Sequence, residues 1–153
     1  LRSHSMELLG TQNVGKDIHV HVGEGGIPKD GPSAGLAVAV ALVSAATNRA
    51  VKQGIAATGE IGLSGDIRPV GGLREKLIAA KRDGFGTVLI PKRNEREVLQ
   101  LPKDVQEGIK LVYVAQLDEA LSVALEPPIP GSPPLRRTTH AAIGTPNRDA
   151  TEA

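Results

Sequence analysis

Ser33 and Lys76 are the two residues whose type and setting point most directly to chemistry. Ser33 follows a Gly- and Pro-rich loop, residues 23–32 (GEGGIPKDGP). It precedes a run, residues 34–46, in which every residue is Ala, Gly, Val or Leu except Ser44. That run predicts a helix over about 33–47, and a helix apolar all round is a buried one. A serine at a helix entrance lies beside backbone N–H groups that lack intrahelical partners. Those groups can hold an oxyanion while the hydroxyl attacks a carbonyl. Serine is also a favoured N-cap, and in that reading Ser33 does nothing more. The loop from Gly26 to Ser33 has the glycine spacing of a phosphate-binding loop. Pro32, however, replaces the lysine that would reach the phosphates and removes a backbone donor.

Lys76 stands out on its helix. At about 100° per residue, residues 73–82 place Arg74, Glu75, Lys81 and Arg82 on one side. Leu73, Leu77, Ala79 and Ala80 fall on the other, and Lys76 falls among them. An ammonium near apolar neighbours is costly to keep charged, so such a lysine takes a partner or loses its proton more readily. In neutral form it can accept the proton of a serine hydroxyl. The plainer reading is a long side chain reaching out to water from the edge of the apolar face.

His19 and His21 share one face of an alternating stretch, DIHVHV over residues 17–22, with Ile18, Val20 and Val22 on the other. A pair at i and i+2 could ligate a metal, but His4 and His140 lie in peripheral segments and no third ligand is evident. Structural or pocket-lining histidines fit better. A Ser-His-Asp triad using one of them would leave the inward Lys76 unexplained. Thr58, in Thr58-Gly59-Glu60, reads locally as an ordinary strand hydroxyl.

The elements that must position these residues alternate along the chain. Residues 1–10 suggest a helix stopped at Gly10. Residues 54–70 read as short strands, with 56–61 and 66–70 flanking a turn at 63–65. A helix over 73–82 ends at Asp83-Gly84, and residues 87–90 form a buried strand stopped by Pro91. Asn94 could cap a short helix through residue 99, residues 110–115 form another strand, and a last helix covers about 117–125. Helices alternating with strands predict an α/β or α+β domain over residues 1–125. Six prolines in the final 28 residues, without periodicity, predict a flexible tail over 126–153.

Composition narrows the function classes. The chain has 153 residues, 40% hydrophobic but only 1% aromatic, so its core rests on Ala, Val, Leu and Ile. No aromatic platform for stacking bases is available. Lys and Arg number 18 against 17 Asp and Glu, which gives no broad basic field for nucleic acid. The absence of cysteine removes disulfides, thiolate metal sites and cysteine nucleophiles. No apolar run is long enough to span a bilayer, and no signal peptide is visible. The first residue, Leu1, suggests a chain cut from something larger.

Three stretches together carry a resemblance. PKDGPSAG (28–35), TGEIGLSGDIRPVGGLREK (58–76) and TVLIPKRN (87–94) strongly resemble the proteolytic domain of the Lon ATP-dependent proteases, over about residues 2–125. The resemblance implies an α+β fold of two layers, with small mixed sheets around a buried central helix and further N-terminal strands beyond this chain. It implies that Ser33 is the nucleophile and Lys76 the general base of a Ser-Lys dyad acting through an acyl-enzyme. Thr58 then lies close to the dyad, Asp30 and its loop shape the site, and His19 and His21 support it.

The resemblance further implies a serine endopeptidase acting on unfolded or tagged proteins. Its ATP and Mg belong to an AAA+ module absent from these residues, and no cofactor or metal is implied within them. The family's whole enzyme is a homohexamer of the bacterial cytoplasm or an organelle matrix, with no role for a membrane. The alternative is a non-catalytic Lon-like scaffold or oligomerisation module, as in some RecA-like DNA-repair ATPases. Those share a GEIGLSGDIRPV-like segment but lack the Ser-Lys pair.

Overall fold

In the computed structural model of the chain, residues 19–20 and 31–128 are described. The expected helix over 1–10, most of the 17–22 strand and nearly all of the C-terminal tail lie outside them. A 3-10 turn, Pro32–Ala34, opens the described chain and leads into α1, Gly35–Thr47. Then come β1 (Ile55–Ala57), β2 (Glu60–Ile61), β3 (Ile67–Arg68) and α2 (Leu73–Arg82). The chain continues through β4 (Thr87–Pro91), a second 3-10 turn (Lys92–Asn94) and α3 (Glu95–Leu99). It closes with α4 (Lys103–Gln106), β5 (Lys110–Val114) and α5 (Leu117–Ala124).

The strands form two sheets. β1, β4 and β5 make a parallel three-stranded sheet with β4 at its centre, in register Ala56↔Val88↔Leu111. β2 and β3 pair antiparallel as a small hairpin, Glu60↔Arg68 and Ile61↔Ile67. The expected hairpin is therefore shorter than the sequence suggests. Its first strand breaks at Thr58-Gly59, because β1 is drawn away to pair with β4.

β4 explains the layering. Val88 and Ile90 belong to one buried cluster with Leu73, Leu77 and Ala80 of α2, Val98 of α3 and Val105 of α4. Leu89, between them, belongs to a second cluster with Leu36, Val40 and Val43 of α1 and Leu121 and Ala124 of α5. Successive strand residues point to opposite faces, so a strand apolar at every position is covered on both. The described residues thus place helices on either side of the parallel sheet, within the α+β architecture of small mixed sheets that the sequence predicts. α2, α3 and α4 cover one face and α1 and α5 the other, and of these α4 is too short and polar to announce itself in the sequence.

α1 is buried along one face only. Leu36, Val40 and Val43 face the core, whereas Ala37, Ala41 and Ala45 are exposed. The large apolar residues recur at one helical face, and alanine methyls gain little from burial. α2 shows the ordinary amphipathic pattern, burying Leu73, Leu77 and Ala80 at i, i+4 and i+7.

Candidate active site

Two segments meet at the start of α1. The Ser33 carbonyl accepts the Gly59 amide at 2.9 Å and the Thr58 hydroxyl at 3.3 Å. The Leu36 amide in turn donates to the Gly59 carbonyl at 2.9 Å. This mutual pairing locks the 3-10 turn against the link between β1 and β2. Two glycines permit the approach. A Cβ on Gly59 would stand 2.9 Å from Ile67 Cγ2 and 3.3 Å from Leu36 Cβ, and one on Gly35 would stand 3.2 Å from the Ile61 nitrogen. Thr58 is buried and its own amide donates to the Leu89 carbonyl at 3.1 Å, which ties the link to the central strand.

The N-cap reading of Ser33 does not hold in this geometry. The 3-10 turn has Gly31 at its N-cap and α1 has Ala34, and neither carries a side-chain cap hydrogen bond. The Ser33 side chain is half-buried and lines two adjoining cavities, each of about 350 Å³. Lys76 lines both as well.

One cavity is walled mainly by carbon. Ala56, Ala57 and Val88 come from the sheet, Ala79 and Ala80 from α2, and Phe85 from the turn after it. Asp83 supplies a charge at its wall, its carboxyl held below the usual aspartate range by the hydrogen bond and charge of Arg82. The second cavity is more polar, lined by Gly31, Pro32, Glu60, Pro69, Val70 and Gly71. Glu60 is paired there with Arg68 at 3.3 Å.

Lys76 occupies the position the helical wheel gives it. Among the charged side chains of α2 it is the one that is half-buried, while Arg74, Glu75, Lys81 and Arg82 are exposed. Its ammonium donates to the Gly71 carbonyl at 2.7 Å rather than reaching into solvent alone. A partner of that kind is what an ammonium at the edge of an apolar face needs.

The chain matches the model of the Lon protease (S16) C-terminal proteolytic domain over residues 1–127. It belongs to that family. It is 57% identical over 111 residues to the Lon protease of Vibrio parahaemolyticus, covering 72% of this chain and 14% of that protein. It is 50% identical over 109 residues to Lon protease 1 of Bacillus subtilis, covering 71% of this chain and 14% of the relative. With the Lon protease of Heliobacterium modesticaldum the identity is 43% over 148 residues, 95% of this chain and 18% of the relative. The chain thus spans less than a fifth of the length of these Lon relatives.

Of the other expected site residues, Thr58 is brought to Ser33, as described. His19 is exposed and lines neither cavity. His21 and Asp30 lie outside the described residues. Among the described residues no cluster of three or more acidic or histidine side chains could hold a metal ion. Nor is any helix among them long and apolar enough to cross a membrane.

Sequence reasoning missed what the Asn94 side chain holds. The expectation that it caps a helix is met only in position. It is the N-cap of α3, but its side chain makes no cap bond and instead pairs with Val70. The signal lay in the TVLIPKRN stretch, where an asparagine at a strand exit reads most simply as a cap.

Proposed function

We propose that this chain is the proteolytic domain of a Lon-type, ATP-dependent serine endopeptidase, with Ser33 as nucleophile and Lys76 as general base. The observation that carries the reading is the presence of both side chains on the walls of the same two cavities, with Ser33 free of the capping role. Family membership supports hydrolysis of peptide bonds as the reaction.

In the proposed step, Lys76 enters as the neutral amine and takes the proton of the Ser33 hydroxyl as Oγ bonds to the scissile carbonyl carbon. The amides of Gly35 and Leu36 already donate to the Pro32 and Gly59 carbonyls, so the oxyanion falls to amides nearer Ser33. Collapse of the tetrahedral intermediate breaks the C–N bond, and the Lys76 ammonium returns its proton to the departing amine. Lys76 then accepts a proton from water as its oxygen bonds to the acyl carbon, and returns that proton to Ser33 Oγ as the C–Oγ bond breaks. The carbon-walled cavity beside Ser33 suits an extended, unfolded polypeptide whose side chains are presented one by one.

Nucleotide chemistry is assigned elsewhere. Pro32 opens the turn that carries Ser33 and offers a phosphate neither an ammonium nor an N–H. ATP and Mg are therefore proposed to act in a separate AAA+ module of a homohexameric enzyme. That enzyme degrades unfolded and tagged proteins in the bacterial cytoplasm.

The test is covalent labelling with a fluorophosphonate, with the site read by peptide mass spectrometry. Modification of Ser33 that is lost in Lys76→Ala supports the dyad. Unimpaired labelling in Lys76→Ala, or no labelling while the chain is folded, overturns it and favours a scaffold.

A further inference from the structure

Asn94 and Thr58 are the two buried polar side chains among the described residues, and Asn94 is 4% exposed. An apolar residue of similar volume would fill that space without the cost of burying an amide. Every polar group of the Asn94 amide has found a use. Its oxygen accepts the Val70 amide at 3.0 Å. Its nitrogen donates to the Val70 carbonyl at 2.9 Å and to Glu97 Oε2 at 2.8 Å. The two bonds to Val70 reproduce what a neighbouring strand would give one residue. Val70 lies beyond the end of β3, after Pro69, where no strand partner continues.

The next residue is the one that matters for Lys76. The Val70 carbonyl and the Gly71 carbonyl belong to consecutive peptide planes joined at the Gly71 Cα. Fixing the first therefore leaves only two dihedrals to set the second. The Gly71 carbonyl is the acceptor of the Lys76 ammonium. Downstream, the chain is anchored again at Leu73, which is fully buried at the start of α2. Gly71 and Gly72, lying between these anchors, have no side chains to pin them. The Gly72 carbonyl is held downstream by the Lys76 amide at 3.2 Å, and the grip on Val70 fixes the peptide plane on the upstream side of the Gly71 carbonyl.

We infer that Asn94 is a positioning residue for Lys76, acting by clamping Val70 so that the Gly71 carbonyl holds the ammonium beside Ser33. The inference rests on the proposed dyad for its catalytic meaning, though not for its geometry. Glu97 serves it in turn by taking the second amide proton and fixing which end of the Asn94 side chain faces Val70. β4 delivers the device, since Asn94 closes the 3-10 turn that follows that strand directly.

The experiment uses the full 153-residue chain with 13C at the lysine ε-carbons, the Lys76 signal being assigned by its loss in Lys76→Arg. Asn94→Ala, Asn94→Asp and the control Val98→Ala are compared for that signal, for thermal unfolding and for fluorophosphonate labelling of Ser33. Asn94→Ala is expected to move the Lys76 signal toward that of the exposed lysines and to slow labelling about tenfold or more. Asn94→Asp, which can still accept from the Val70 amide, should fall between and stands in should the alanine variant not fold. Val98→Ala should lower the unfolding temperature while leaving both other readouts near wild type.

The inference is overturned if an Asn94 variant matches Val98→Ala in all three. Should Ser33 resist labelling in the wild type, the dyad fails in this chain. The Lys76 signal would then decide the clamp by itself.

Discussion

The Thr58 hydroxyl donates to the Ser33 carbonyl at 3.3 Å, and it does so from a buried position. The residue proposed to attack substrate is thus held by its backbone, and its hydroxyl is not used for this hold. The Gly59 amide shares the same acceptor at 2.9 Å, so the Thr58-Gly59 link acts as a two-point latch on the turn.

Thr58→Val removes the hydroxyl and keeps the shape. It should cost about 1 kcal/mol in urea unfolding, the worth of one hydrogen bond of this kind, and slow Ser33 labelling several-fold. Thr58→Ser should restore most of the labelling rate. If valine labels as fast as threonine, the latch has no role in presenting Ser33.

Gly59→Ala should destabilise the domain by about 1–3 kcal/mol, because overpacking forces neighbours aside. The new methyl would stand 2.9 Å from Ile67 Cγ2 and 3.3 Å from Leu36 Cβ. The double variant with Ile67→Ala should recover part of the loss, which a denaturant cycle over the four proteins would reveal. Simple additivity would mean that the close approach is not the cause.

Lys76→Arg separates charge from basicity. Arginine can donate to the Gly71 carbonyl but does not release its proton in a protein. Labelling of Ser33 should therefore fall to the level of Lys76→Ala while the unfolding temperature stays close to wild type. A variant that labelled normally would exclude Lys76 as the base.

Tyr113 is the single tyrosine of the chain, so its ionisation can be followed alone by ultraviolet absorbance. Burial raises its phenol above the usual value and the Glu95 carboxylate adds to this, with Lys92 opposing from 5.7 Å over the ring. A phenol raised on folding contributes stability that is complete below its unfolded value of about 10. That contribution is lost as pH rises through the folded value. The tyrosinate midpoint should lie above that of the urea-unfolded chain, and Lys92→Ala should raise it further.

Asp66 behaves in the opposite sense. The Ser64 hydroxyl and Arg68 hold its carboxyl below the usual range. Its contribution to the hairpin is present above about pH 4 and is lost as pH falls through the lowered folded value. Asp66→Asn should flatten that acid limb in a pH series of thermal unfolding, lowering the unfolding temperature slightly at neutral pH and converging on wild type in acid.

The parts of the fold that sequence discloses are those whose burial leaves a period. α2 was legible residue by residue from Leu73 to Arg82, since its charges cluster opposite Leu73, Leu77 and Ala80. The same wheel marked Lys76 as the inward charge. β4 was legible as an apolar run ended by Pro91, but the run could not say that both of its faces were covered. α4 is a single polar turn and offers no pattern. Asn94 was seen and misread. Its bonds reach Val70, 24 residues earlier in the chain, and a partner that distant leaves no trace in local spacing.

The parallel sheet also governs when the site can exist. Ser33 leads into the helix of one buried cluster, and Lys76 rides on the helix of the other. The two clusters share only the sheet between them. A nascent chain lacking β4 has neither the wall that separates the clusters nor the Leu89 carbonyl that anchors Thr58. On the proposed dyad, Ser33 and Lys76 meet only in the finished tertiary structure, so a half-synthesised copy is expected to be inert toward its neighbours.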